Sequence, residues 1–143
     1  MELNKLEQSF KLNNFNTEDD VKIHFHSDII KPLLEELNPT MVSQYKSEDN
    51  LLAGGRTDAT FQNVSFELKK IEYFKNASGI EEALYGRNNK DHGLYDYIIS
   101  NSGVSNADRP DLIKSKLLNS IGVGFDGDSF IFARFVPSPT SHK

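Results

Sequence analysis

A chain of 143 residues with a formal net charge of -5 is the size of one domain and long enough to bury a core. At 37% hydrophobic and 26% charged residues it is too apolar to be a disordered chain. It has no cysteine, which excludes disulfides and thiolate metal sites, and its acidity argues against a stand-alone grip on the phosphate backbone of a nucleic acid. No apolar run approaches the length needed to span a bilayer. The opening MELNKLEQSF also lacks the basic-then-apolar order of a signal peptide. A cytoplasmic location without membrane partners is therefore expected.

Residues 1–16 read as a polar lead-in, 17–136 as the folded domain, and 137–143 as a polar tail or the start of a linker. In NTEDDVKIHFHSDIIKPLLEELNP, Asn16 or Thr17 is placed to cap a helix whose first turn holds Glu18, Asp19 and Asp20, which suits the positive end of the helix dipole. Val21, Phe25, Ile29, Leu33 and Leu37 recur every four residues as one apolar stripe, and Pro32 is expected to kink or split the helix. Three strands are predicted next: MVSQYK from Met41, RTDATFQ from Arg56 and VSFELKKIEYF from Val64. Helical pattern returns from Ser78 to about Ser100, interrupted by the polar GRNNKDHG. A further helix fits DRPDLIKSKLLNS, with Asp108 as its cap and Pro110 in its first turn. SIGVGFDGDSFIFARFV closes the chain as a hairpin turning at Asp126 and Gly127. The order of helix, three strands, helices and two strands defines an α/β class.

The stretch GGRTDATFQNVSFELKK carries the chemistry. If Gln62 and Asn63 form a two-residue turn, Phe61 faces Val64, Ala59 faces Phe66 and Thr57 faces Leu68, giving one face to pack on the helix stripe. The other face sets Asp58 opposite Glu67 and Arg56 opposite Lys69. Like charges directly opposite cost roughly 0.2–1 kcal/mol, and more where water is scarce. A divalent cation is the natural compensator, because Mg²⁺ prefers one or two carboxylates with waters and phosphate oxygens. The Leu68 carbonyl adds an oxygen from the strand, and Lys69, on the same face as Glu67, is placed to orient an attacking water and stabilise charge on a phosphate. That set suits metal-assisted hydrolysis of a phosphodiester. On this reading, Asp58→Ala relieves repulsion in the metal-free fold.

Spacing alone favours an ordinary solvated charge cluster of Arg56 and Lys69 with Asp58 and Glu67. The same pattern of acid, spacer and lysine recurs at Asp20-Val21-Lys22, where it is read as meaningless. The facing of the two carboxylates across consecutive strands, after an amphipathic helix, tips the reading toward a metal site.

In these three stretches, TEDDVKIHFHSDIIKPLLEEL, GGRTDATFQNVSFELKK and IGVGFDGDSFIFARF, the chain resembles the PD-(D/E)XK nuclease superfamily, in the form of the N-terminal nuclease domains of type I and related restriction enzymes. The resemblance covers most of the chain. It implies a restriction-endonuclease-like core, a central mixed β-sheet flanked by helices, with Asp58 and Glu67 binding Mg²⁺ (Mn²⁺ substituting) and Lys69 serving the water and the scissile phosphate of DNA. It also implies an acid from the first helix, for which Glu18 fits best in position and Glu35 and Glu36 are further candidates. Partner domains or subunits of a larger restriction-type enzyme follow from the same resemblance and from the acidity. Two departures stand out: Thr57 replaces the proline usual before the aspartate, and Gly93 precedes Tyr97 where restriction-type members carry a glutamine. A catalytically inactive nuclease fold that binds DNA or protein is the alternative, and a small interaction domain with an ordinary surface charge network is a third reading.

The other polar residues carry weaker signals. His24 and His26, two apart, do not share a helical face as a zinc pair would require. His92 reads as a surface residue, and Arg87, Lys90 and Arg134 as solvated cations with access to phosphates. Tyr85, Tyr95 and Tyr97 read as packing, and GVGFDG as hairpin rather than nucleotide loop.

Overall fold

The computed structural model describes residues 17–47, 57–87 and 92–137. The lead-in 1–16, Arg56, Lys90 and the tail beyond residue 137 lie outside the described residues. Helix α1 (Glu18–His24) begins at a reciprocal capping box: Thr17 Oγ1 accepts from the Asp20 amide at 3.1 Å, and Asp20 Oδ2 accepts from the Thr17 amide at 3.0 Å. The helical path continues through a π turn (Phe25–Ile30) into α2 (Lys31–Leu37), with Pro32 in the first turn of α2. Instead of a kink at Pro32, the chain widens ahead of it, and the Lys31 amide reaches back five residues to the His26 carbonyl.

That wider turn inserts one residue into the helical count and moves the apolar stripe. Val21, Phe25 and Ile29 are buried as expected, but the stripe then continues through Ile30 and Leu34, while Leu33 is half-buried and Leu37 is 66% exposed. A strict four-residue repeat does not survive a π turn.

Strand predictions were too long at three places. Residues 41–44 of the first predicted strand lie instead in a 3₁₀ turn (Pro39–Gln44), because Asn38 caps it by accepting from the Thr40 amide and Pro39 occupies its first position. Only Tyr45–Ser47 remains as β1. β2 is confined to Ala59–Phe61 and β3 to Val64–Leu68, after which Tyr73–Lys75 forms a short 3₁₀ turn. Helices α3 (Ala77–Tyr85) and α4 (Leu94–Ser102) stand where the pattern placed them. In α5 (Pro110–Leu118) the cap position is Arg109; Asp108 instead accepts from the Ser105 amide and from Lys116 Nζ at 2.8 Å.

β4 (Ile121–Phe125) and β5 (Phe130–Arg134) form the closing hairpin. Its connection is longer than the predicted two-residue turn, because Phe125 pairs with Phe130 and Asp126 turns inward to accept from the Phe74, Asp128 and Ser129 amides. The five strands lie in the order β1-β2-β3-β4-β5, with β3 and β4 parallel and every other pair antiparallel, a mixed sheet flanked by helices. The predicted β2–β3 register holds: Ala59 faces Phe66 and Phe61 faces Val64.

One sheet face packs Phe66, Leu68, Val123 and Phe125 against Val21, Phe25, Ile29 and Leu34. On the other face Leu94 and Ile98 of α4 lie so close to Gly122 that an added Cβ would stand 2.6 Å from Leu94 Cγ. The stripe shift has a measurable consequence. Leu34→Ala should cost about 2–5 kcal/mol, and Leu37→Ala under about 0.5 kcal/mol, in denaturant unfolding. The reverse ranking would place the stripe back on the four-residue repeat.

Candidate metal and phosphate site

β3 ends with Glu67 and Leu68 beside the end of β4, at the carboxyl edge of the parallel pair, where open α/β sheets place their ligands. β2 does not run far enough to bring Asp58 into the ladder. Asp58 sits in a bend, and its side chain takes over a backbone role: Oδ2 accepts from the Leu68 amide at 2.6 Å. Beside it the buried Thr57 donates through Oγ1 to the Phe66 carbonyl at 2.9 Å. The expected direct facing of Asp58 and Glu67 is thus replaced by a carboxylate turned onto the β3 backbone. Within a strand residue the N–H and C=O share an edge, so the Leu68 carbonyl points toward the same bend.

Three acids and two lysines converge there. Lys69 Nζ is 3.2 Å from Glu67 Oε1. Lys22 Nζ, from α1, is 3.0 Å from Asp58 Oδ1 and 3.4 Å from Glu18 Oε1. Glu18 lies close enough for its charge to act on Glu67 and Lys69, whereas Glu35 and Glu36 are exposed some 17 residues further on, about 25 Å along the helical axis. Of the three helix acids, Glu18 is the one brought to the site. The resemblance had singled it out by position.

Burial dominates the electrostatics. Glu67 is 7% exposed, and loss of water, followed by the Asp58 charge, pushes its carboxyl up to about 8 against the pull of Lys69. Burial draws Lys69 down, but the Glu67 carboxylate, with Glu18 and Tyr73, outweighs it and holds the ammonium above its ordinary value. Lys22 behaves alike: burial opposes its charge, and Asp58 and Glu18 more than compensate. Tyr45, buried beside Asp58 and hydrogen-bonded to His26 Nδ1, is raised by burial first and by Asp58 second. Lys69 Nζ also stands 5.4 Å over the ring of Tyr73, whose hydroxyl bonds Glu82.

Among the described residues no group of three His, Cys, Asp or Glu side chains is gathered as a metal cluster. The oxygens that a cation would find at the β3 end are the Asp58 and Glu67 carboxylates and a strand carbonyl, with Glu18 within electrostatic reach but not gathered into one cluster with them. All are hard oxygens, which fits Mg²⁺ with its few protein ligands and several waters, and does not fit zinc.

Lys22 and Tyr45 were missed by the sequence reading. The pattern Asp20-Val21-Lys22 alone carries no meaning, but the spacing of four between Glu18 and Lys22 places both on one helical face, a signal present in the sequence. His24 bonds Asp28 at 2.9 Å and His26 bonds Tyr45. Arg87 pairs with Glu82 at 3.6 Å, and Arg134 is exposed on β5. At Gly93, which starts α4, an added Cβ would stand 2.5 Å from the Leu84 carbonyl and the Gly86 amide. The position where restriction-type members carry glutamine therefore has no room for a side chain, and the buried Tyr97 donates to the His92 carbonyl.

The molecule is an α/β domain with a five-stranded mixed sheet and a charged site at the carboxyl end of its parallel strands. No protein-family model, curated protein or solved structure matches the chain. Among the described residues no helix is long and apolar enough to cross a membrane.

Two stability predictions follow from this geometry. Asp58→Ala strands the Leu68 amide and leaves Lys22 facing only Glu18, so it should destabilise the metal-free protein by about 1–3 kcal/mol rather than relieve a repulsion; chemical denaturation measures this. Glu67 binds its proton in the fold up to about pH 8 but releases it near 4.5 when unfolded. Its stabilising contribution is therefore complete below about 4.5 and lost as pH rises through 8. Glu67→Gln should flatten the fall in stability over that window, and a variant that follows the wild-type pH profile would refute the buried-acid assignment.

Proposed function

We propose that the chain is a metal-dependent DNA endonuclease domain with a restriction-endonuclease-like core, the nuclease module of a restriction or phage-defence enzyme. The observation that carries this reading is the convergence of Asp58, Glu67 and Lys69 at the end of β3, with Glu18 and the Leu68 carbonyl at the same edge. Asp58, Glu67 and the Leu68 carbonyl would hold Mg²⁺ or Mn²⁺, with Glu18 from α1 completing the set. Such a cation supplies Lewis-acid charge that activates water and stabilises the phosphate. Glu67 serves as a ligand only after losing its proton, and the low-water setting that raises its affinity for that proton also strengthens its hold on a divalent charge. Lys69, fixed by Glu67 at 3.2 Å, orients the attacking water and meets the negative charge that builds on the phosphate oxygens. A net charge of -5 gives DNA little purchase, so partner domains or subunits of a larger enzyme supply the grip.

A second reading is favoured by one observation. Lys22 and the Leu68 amide already engage both oxygens of Asp58, which suits a catalytically inactive nuclease fold that binds DNA or protein. The two part in one experiment, in which Mg²⁺ or Mn²⁺ is titrated into wild type, Asp58→Ala and Lys69→Met, followed by melting temperature and plasmid nicking. The nuclease reading expects a metal-dependent rise in melting temperature in wild type and in Lys69→Met but not in Asp58→Ala. It expects nicking to fall about 10²–10³-fold in Lys69→Met. Metal binding without nicking in wild type keeps the site and leaves DNA delivery to the partner domains, and no metal response in any of the three selects the inactive fold.

A further inference from the structure

The position of Lys22 goes beyond that reading, and this inference rests on it. Lys22 Nζ lies between two candidate ligands from different elements, 3.0 Å from Asp58 Oδ1 and 3.4 Å from Glu18 Oε1, and its side chain is 21% exposed. The Oδ2 atom of the same aspartate is committed to the Leu68 amide, so Oδ1 is the oxygen that Asp58 offers to any cation. Lysine carries a compact charge on a four-carbon stem and can leave without disturbing the backbone. A divalent ion at Asp58 Oδ1 would sit about 2.1 Å from that oxygen, close beside the ammonium if the latter stayed. Like charges that close in a partly buried site repel strongly, and Lys22, with a carboxylate partner only in the oxygens the cation would take, has the more to lose.

We propose that Lys22 is the resident counter-ion of the site: it neutralises Asp58 and Glu18 in the metal-free protein, competes with the divalent cation for both, and swings away when the cation binds. The site then has two states with one net consequence. In one, the ammonium ties α1 to the Asp58 bend; in the other, the cation does. Stability without metal and affinity for metal are opposed through one side chain, so removing its charge should lower the first and raise the second.

The test uses the full chain as wild type, Lys22→Met, Lys22→Arg and Asp58→Ala, with Mn²⁺ titrated by calorimetry and by melting temperature. Methionine keeps an unbranched apolar stem and removes the charge. The expected result is at least a tenfold tighter Mn²⁺ affinity in Lys22→Met together with a lower metal-free melting temperature. Arginine should return affinity toward the wild-type value. Equal or weaker Mn²⁺ binding in Lys22→Met, with binding still lost in Asp58→Ala, overturns the competition and leaves the metal site standing. Absence of Mn²⁺ binding in wild type and Lys22→Met alike overturns the metal site and this proposal together. Should Lys22→Met fail to fold, the wild-type chain with ¹³C-labelled lysine gives the answer. The Lys22 ε-methylene resonance should move with Mn²⁺-site occupancy by diamagnetic Mg²⁺, and a resonance that stays fixed while Mg²⁺ binds overturns the proposal.

Discussion

The contact on which the candidate site depends is the 2.6 Å hydrogen bond from the Leu68 amide to Asp58. It forms where β2 has left the sheet, so a carboxylate stands in for the missing backbone acceptor and the end of β3 does not fray. One carboxylate oxygen is fixed by the sheet, and the other meets a lysine from α1 at 3.0 Å. Through this one side chain the hairpin and the first helix are set relative to each other, and Glu18, Glu67 and Lys69 are brought within electrostatic reach.

The charges collected there balance only as a set. Three partly or fully buried acids and two lysines leave one negative charge in excess if all are ionised, and Glu67, the most buried, is the member that keeps its proton to about pH 8. This is the cheapest resolution available to the fold, since a neutral acid needs no counter-ion in a low-dielectric pocket. It also leaves a carboxyl that an added positive charge would help to ionise below that pH.

Much of this was legible in the sequence. The β2–β3 register followed from a two-residue turn and strict alternation, because a slip by one residue would have turned Phe66 and Leu68 out of the core. The capping box at Thr17 and the start of α5 near Pro110 were readable from local chemistry. Where sequence and structure part, the common cause is that residue periodicity continues past the point where backbone geometry changes. MVSQYK alternates like a strand, yet the Asn38-Pro39 cap ahead of it starts a 3₁₀ turn. Asp58 was counted into a ladder that stops at Ala59. Lys22 was set aside because its local pattern is common, although its meaning lay in a contact 36 residues away in sequence, which no short motif encodes. The polarity of β3 and β4, parallel rather than antiparallel, likewise depends on the crossover through α3, α4 and α5.

The π turn at Phe25–Ile30 divides one continuous helical path into two faces that need not agree. Upstream, the outward-turned side carries Glu18 and Lys22 toward charged chemistry; downstream, Ile30 and Leu34 seal the sheet. One surplus residue rotates the second half by about 100° relative to the first. Gain or loss of a single residue there would turn either the half that carries Glu18 and Lys22 beside Val21 and Phe25, or the half that carries Ile30 and Leu34, so the length of the segment 25–30 ties the charged cluster and the core packing together.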